Sequence, residues 1–386
     1  VPRGRGGGRK NQNHPFRARQ IHDGAAGENL AAVKILVIAM AGIGDALIAT
    51  PLIRELRANF PDATIDALVM WAGSKDLLEN NPHLNRVHQK NLIKAGKVEA
   101  LGFLWSLRRN RYDVSINTHP QSRMHYRIAA RIVGAPVRIS HEYECFNWLD
   151  RKLVNKVLPQ DYTRHSIESN FDVLPLIGAK KKLPSHEIEI FLKPDEEEWA
   201  GEFLAKNKLA GQKILGVHVG SGGTKNLPLK RWPLKNHSGL VRRLNKARPD
   251  IRVLLFGGPE EAKDHQVVLA QSNRDLTLEA KTQSLRQTAA LMKRCSAFLS
   301  VDTALMHIAT AVKVPNQIVI EAPTLNATNW PYGNPFTLVK NPVIAGRNLD
   351  YYRYDGGDIK GTRDELIACM ASIKIEDVFD AVTKLI

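Results

Sequence analysis

Asp45 is the first residue to raise a chemical question. It follows Gly42 and Gly44 in VIAMAGIGDALIATP (residues 37–51), between an apolar run and an apolar-periodic stretch. A buried strand, a glycine turn and a helix usually cradle a phosphate. A carboxylate would repel one, so Asp45 is either a helix cap or does different work. The segment VHVGSGGTKNLPLKRWP (217–233) suits an anion better. Its glycines let backbone amides approach closely, Ser221 and Thr224 can donate, and Lys230 with Arg231 brings positive charge to the start of the next helix. The same segment also reads as a surface loop with solvated lysines. In FLSVDTALMHIATAV (298–312), Asp302 or Thr303 can cap a helix and leave the amides of Thr303, Ala304 and Leu305 for a diphosphate, with His307 one turn in. The plainer reading is a cap and a packed histidine. LLFGGPEE (254–261) sets carboxylates just after two glycines, where a glutamate can bond ribose hydroxyls or simply stand in a first helical turn. Finally, Arg123, Arg127 and Arg131 recur at i, i+4, i+8, with Arg138 beyond. That spacing lines one helix face, either a solvated stripe or a clamp for a phosphorylated or carboxylated acceptor.

These residues need strands and helices to hold them. Short apolar runs predict strands at 33–40, 64–70, 112–117, 187–192, 213–219, 251–256, 297–301 and 316–320. Helical periodicity predicts helices at 46–58, 121–133, 166–177, 196–206, 235–247, 260–271, 284–294 and 304–312. Alternating βαβα implies α/β architecture with parallel sheets covered by helices. The pattern restarts near Lys213, which predicts two doubly wound halves with ligands in the cleft between them. The expected division is a basic, disordered arm or tag remnant at 1–30, an N-terminal unit at 31–182 and a C-terminal unit at 183–386. The boundary falls in GAKKKLPSHE, and the last helix is free to pack on either unit, the N-terminal one included.

Composition narrows the partners. The formal charge is +16, and the first twenty residues carry six Arg/Lys without an acid, leaving about +10 for the body. Such a field favours nucleic acid, nucleotide sugars or an anionic lipid surface. Three widely spaced cysteines give no disulfide framework and fit a reducing cytoplasm. No HExxH, CxxC or DxD pattern occurs, so neither a metal nor another cofactor is expected.

Several blocks occur together in order: GIGDALIATPLIRELRANFPDATIDALV, RIAARIVGAPVRIS, HSIESNFDVLPLIGA, HVGSGG…KRWP, LLFGGPEE, SVDTALMHIATAV, APT…WPYG and CMASIKIEDVFDAV. Together they resemble glycosyltransferase family 9, the lipopolysaccharide heptosyltransferases, from about Val33 onward. GxGD alone is a weak signal; the ordered set GIGDxxxxTP, KRWP, DTxxMHxA and PYG is specific. The resemblance implies a GT-B fold of two Rossmann-like domains facing a central cleft, the first for the acceptor and the second for the sugar nucleotide. It implies metal-independent, inverting transfer of heptose from an ADP-sugar to the anionic lipopolysaccharide inner core. The expected location is the cytoplasm, in peripheral contact with the anionic inner face of the inner membrane, without a specific nucleic acid. Asp45 matches the family's catalytic base, Lys230 its diphosphate lysine, Asp302 with residues 303–305 its phosphate-binding helix start, and His307 a motif histidine. Glu260 is assigned the ribose contact, with Glu261 the alternative.

Two departures bear on specificity. Ala304 stands where the family commonly has glycine, and the segment before Cys369 carries Tyr351, Tyr352, Tyr354 and Asp355 where relatives often hold several cysteines. In the implied chemistry Asp45, kept ionised by a helix N-terminus, takes the acceptor proton. Three other readings are set beside it: a transferase of the same family using another nucleotide sugar or a protein acceptor, a nicotinamide oxidoreductase, and a non-catalytic binder of anionic surfaces. AGIGDALIA lacks the third glycine that the oxidoreductase needs.

Overall fold

A computed structural model describes residues 32–222 and 227–386. The expected arm at 1–30 and Thr224 lie outside these residues. The first unit contains strands β1 (Lys34–Ile38), β2 (Thr64–Val69), β3 (Arg86–Gln89), β4 (Val114–Asn117), β5 (Val137–Glu142) and β6 (Lys156–Pro159). The second contains β7 (Lys213–His218), β8 (Ile251–Phe256), β9 (Thr277–Glu279), β10 (Ala297–Ser300), β11 (Asn316–Ile320) and β12 (Phe336–Val339). Each unit is one six-stranded sheet, ordered β3-β2-β1-β4-β5-β6 and β12-β11-β10-β7-β8-β9. All pairings are parallel. The chain reverses direction across the sheet between β1 and β4, and again between β7 and β10. At such switch points the connecting loops separate and leave a crevice at the carboxyl ends of the strands.

The central strands form where both faces are buried. Along β1 and the residues after it, Ile35, Val37 and Ala39 pack with Leu52, Ile53 and Phe171 on one side. Leu36, Ile38 and Met40 pack with Leu104, Ala130 and Val133 on the other. A core on each side is why this strand has no polar alternation. The units also meet through apolar contact: Leu47 and Leu77 of the first share a cluster with Ala289, Leu291 and Ile308 of the second. This is the two-domain GT-B architecture.

Several expectations change. The strand predicted at 187–192 is an extended connection outside both sheets. Its alternation reflects a two-sided setting: Ile188 packs into the first core, while Glu189 pairs with Arg54. The helix predicted from 46 begins at Ile43 and comes in two pieces, Ile43–Ile48 and Thr50–Asn59, with Pro51 opening the second. The closing helix, Ile375–Leu385, packs on the second unit, where Val378 and Val382 join Ile318 and Leu240. It does not pack on the first.

Candidate active site

The loops that leave β1, β4, β7 and β10 flank the two switch points, and they carry most of the polar residues of interest. After β1, Gly42 is the N-cap of the Ile43–Ile48 helix, with extended backbone, and Asp45 lies in its first turn. Both glycines have a packing reason. A Cβ on Gly42 would sit 2.8 Å from Asp45 Oδ2, and one on Gly44 would sit 2.6 Å from His307 Cδ2. The first glycine lets the carboxylate fold back over the turn, and the second lets the two units touch.

Asp45 keeps part of its surface exposed. Burial by surrounding protein raises its pKa to about 7, and the nearby Asp302 carboxylate adds to this; Lys230 and a hydrogen bond from the Gly42 backbone oppose it. The expectation of a permanently ionised Asp45 is therefore corrected. One helix turn and one lysine do not outweigh desolvation and a second carboxylate. The result is a carboxylate poised near neutrality, as general-base chemistry favours.

Across the cleft, Lys230 closes a short 3₁₀ turn and is buried with its ammonium 3.2 Å from Asp302. Asp302 Oδ2 also accepts hydrogen bonds from Thr324 Oγ1 (2.6 Å) and Asn329 Nδ2 (3.3 Å). Burial works against its charge, but Lys230 and the Thr324 hydroxyl outweigh it and hold Asp302 below the usual carboxylate range. Asp302 thus anchors Lys230. Thr303, with extended backbone, is the N-cap of the Ala304–Ala311 helix, and its hydroxyl lies 3.2 Å from His218 Nδ1. The first amides of this helix have no carbonyl of their own turn to bond. Ala304 and Leu305 remain partly exposed there. His307 is buried against Gly44, and burial lowers its pKa to about 4, so it is neutral near pH 7.

The remaining candidates separate. Ser221 donates to the Leu227 carbonyl (2.6 Å) and accepts from Arg231 Nε (3.1 Å), so its hydroxyl braces the loop. Arg231 is neutralised by Glu261 and Asp264. Glu260 is exposed, whereas Glu261 is buried beneath Gly220 and accepts from the Gly258 amide at 2.9 Å. Of the two glutamates, Glu261 belongs to the framework of the loop and Glu260 faces solvent.

The arginine stripe does not form one face. Arg123 is the extended N-cap of the Met124–Val133 helix and lies 3.8 Å from Asp358. Arg127 is wholly buried, 2.6 Å from Asp150, and donates to the carbonyls of Gln121 and Ser122. Arg131 is exposed in the last turn. A clamp of three guanidiniums is excluded: Arg127 supports the loop after β4, and only Arg123 stands near the cleft.

Sequence reasoning singled out Tyr352 and Tyr354 but missed that they join Tyr126, Tyr143 and His119 in an aromatic wall beside Asp45. The hydroxyls of Tyr126, Tyr143, Tyr352 and Tyr354 all sense the Asp45 charge, and burial with that charge raises their pKa values. Tyr354 stands edge-on to His119 at 5.0 Å, and His119 stacks on Tyr143 at 5.6 Å. Thr324 and Asn329 were missed as well, although both lie within the APT…WPYG block. Spacing cannot show that a residue more than twenty positions away completes a carboxylate's hydrogen bonds.

The cleft thus sets one near-neutral carboxylate against a buried lysine and a helix start. Residues 101–347 match the model of glycosyltransferase family 9 (heptosyltransferase). The chain is 26% identical over 353 residues to lipopolysaccharide heptosyltransferase 3 of Escherichia coli, covering 89% of this chain and 96% of that protein. Its fold is similar to the crystal structure of a family 9 glycosyl transferase from Veillonella parvula, with TM-score 0.72, 22% identity and coverage of 93% and 98%. It is also similar to the structure of E. coli ADP-heptose lps heptosyltransferase II, with TM-score 0.66, 20% identity and coverage of 92% and 98%. The chain belongs to glycosyltransferase family 9, the heptosyltransferase family, and is a glycosyltransferase.

Proposed function

We propose that the protein transfers heptose from ADP-heptose to a hydroxyl of the lipopolysaccharide inner core, with inversion and without a metal, at the cytoplasmic face of an anionic membrane. The observation that carries this reading is the meeting of Asp45, from the first unit, with the Lys230–Asp302 pair and the residue 303–305 amides, from the second. The acceptor hydroxyl oxygen attacks the anomeric carbon on the face opposite ADP. Its proton passes to an Asp45 carboxylate oxygen as the new C–O bond forms and the bond to the diphosphate breaks. Lys230 and the helix-start amides meet the charge that develops on the departing ADP. Asp302 holds Lys230 in place, and neutral His307 packs the two units together. ADP-heptose as donor draws support from the name of the E. coli relative.

A second reading within the family is another nucleotide sugar or a protein acceptor. Tyr352 and Tyr354, close enough to sense Asp45, and Ala304 at the helix start favour it at the points where this chain departs from the family pattern. Calorimetry against ADP, GDP and UDP sugars, followed by transfer assays with the donor that binds, decides between them. Binding of ADP species with turnover on core oligosaccharide is the expected result. Selective binding of another nucleotide establishes the second reading, and no nucleotide binding at all overturns both.

A further inference from the structure

The Gly96–Leu107 helix is apolar on two sides. It turns Leu104 and Leu107 into the first core. Outward it presents Val98, Leu101 and Trp105, which are 86%, 53% and 62% exposed, with Ile93 at 71% in the preceding loop. A helix that is apolar all round is normally covered, and patches of this kind mark interaction sites. The neighbouring helices Met124–Val133 and Asp150–Leu153 continue the same layer, each packed against the next. They add exposed Ile128 and, just before the last helix, Trp148 and Leu149. Of the eleven large apolar side chains exposed among the described residues, seven lie on this layer or the loops entering it, so the patch is not scatter.

The charge around it is positive on balance. Lys94, Lys97, Arg108, Arg109, Arg131 and Lys152 are exposed on the layer. Its acids are each engaged by a base: Glu99 by Lys90, Glu142 by Arg151, Glu144 by Arg353 and Asp150 by Arg127. Arg108 lies 5.0 Å from the Trp105 ring centre and Lys152 lies 4.6 Å from that of Trp148. Tryptophans beside basic groups, over an aliphatic stripe, match the interfacial zone of a bilayer, where rings sit among headgroups and cations meet lipid phosphates. A protein partner would call for no such excess of unpaired positive charge.

We infer that this helical layer of the first unit is a docking surface for an anionic lipid bilayer. The loops bearing Ile93 and Trp148 leave the carboxyl ends of β3 and β5, the same sheet edge from which Asp45 is presented. Docking there sets the mouth of the cleft beside the lipid surface, where a lipid-anchored acceptor would emerge. The inference deepens the membrane part of the proposed function, but vesicle binding itself needs no transfer chemistry.

The test is flotation of the full chain with vesicles of equal parts phosphatidylcholine and phosphatidylglycerol, and with phosphatidylcholine alone. The wild type is expected to float with the mixed vesicles and far less with the neutral ones. Leu101→Ser/Trp105→Ser and, separately, Lys97→Glu/Arg109→Glu should each lower the bound fraction by about tenfold. Both variants alter exposed side chains, so their melting temperatures and ADP affinity should match the wild type. Equal binding to both vesicle types, or variants that float like the wild type, overturns the inference. So does a wild-type dimer that the Leu101/Trp105 variant converts to monomer, since the occupant would then be a second copy. A protein that floats but binds no nucleotide overturns the transfer reading and leaves this one standing.

Discussion

Asp45 is worth testing first because its burial and its chemistry make opposite demands. Asp45→Asn keeps the shape and removes the base, so kcat should fall by about 10²–10⁴-fold, the usual contribution of a general base. ADP affinity should stay close to wild type, because Lys230 and the 303–305 amides are untouched. In the wild type, kcat/KM should rise with pH and level off above about 7, where the Asp45 pKa is placed. The linked stability runs the other way. Because the folded pKa lies above the ordinary value of 3.8, the folded state holds more protons between these limits. Stability therefore falls as pH rises through this window. Asp45→Asn should raise the melting temperature at pH 8 and have little effect at pH 4, as thermal melts at both values would show. Lys230 gives a second test at this scale. Lys230→Met leaves Asp302 buried with its cation gone, which should cost about 3–5 kcal/mol of stability along with donor binding. Adding Asp302→Asn should recover most of the stability in denaturant titration and none of the activity. Recovery of activity would mean that Lys230 serves only to neutralise Asp302.

At the scale of elements, the Ile43–Ile48 and Ala304–Ala311 helices bring the site together by touching at Gly44 and His307. Gly44→Ala forces a methyl into the imidazole at a cost of about 1–3 kcal/mol of overpacking. His307→Ala opens the space again. A double-mutant cycle on kcat/KM should therefore show coupling, with the double variant more active than Gly44→Ala alone. This contact also shows what could be read in advance. The glycine, the aspartate and the DTxxMHxA helix were all legible, because central strands buried on both faces leave unbroken apolar runs ending in glycine or capping residues. The edge strands were not legible: RVHQ, KVLP, TLE and FTLV of β3, β6, β9 and β12 are short, and the interior β5, VRISHE, was missed as well because polar side chains interrupt its apolar run. The spacing of Arg123, Arg127 and Arg131 predicted one shared face, but Arg123 precedes the helix with extended backbone and Arg127 turns inward. The reason lies in Asp150, 23 residues beyond Arg127. Arg127→Met should accordingly cost about 3–5 kcal/mol by stranding that buried carboxylate, whereas Arg131→Ala should change stability by less than about 0.5 kcal/mol.

For the whole molecule, the proposed mechanism makes catalysis depend on how the two units are held, since it places the base on the first and the donor-binding groups on the second. One link between the units is polar and uses none of the residues of the proposed site. Asp76 of the first unit accepts hydrogen bonds from the Leu285 and Arg286 amides (2.8 and 3.3 Å), capping a helix of the second. Arg286 in turn donates to the Glu79 carbonyl at 2.9 Å and pairs with Glu196 at 2.5 Å. Asp76→Ala removes the shared cap and leaves each sheet and core intact, so the loss of stability should be modest, about 1 kcal/mol. Its effect on turnover should be larger than that figure suggests, because a displacement of about 1 Å between reacting groups can cost about 10²-fold in rate. The proposed donor groups all belong to the second unit, so ADP affinity should stay near wild type while kcat falls by about tenfold or more. Small-angle scattering without nucleotide should show a wider distribution of sizes for the variant, narrowing when ADP-heptose is added if substrate can close the units unaided. A variant with normal kcat would assign orientation of the units to the apolar contact of Leu47 and Leu77 with Leu291 and Ile308 instead.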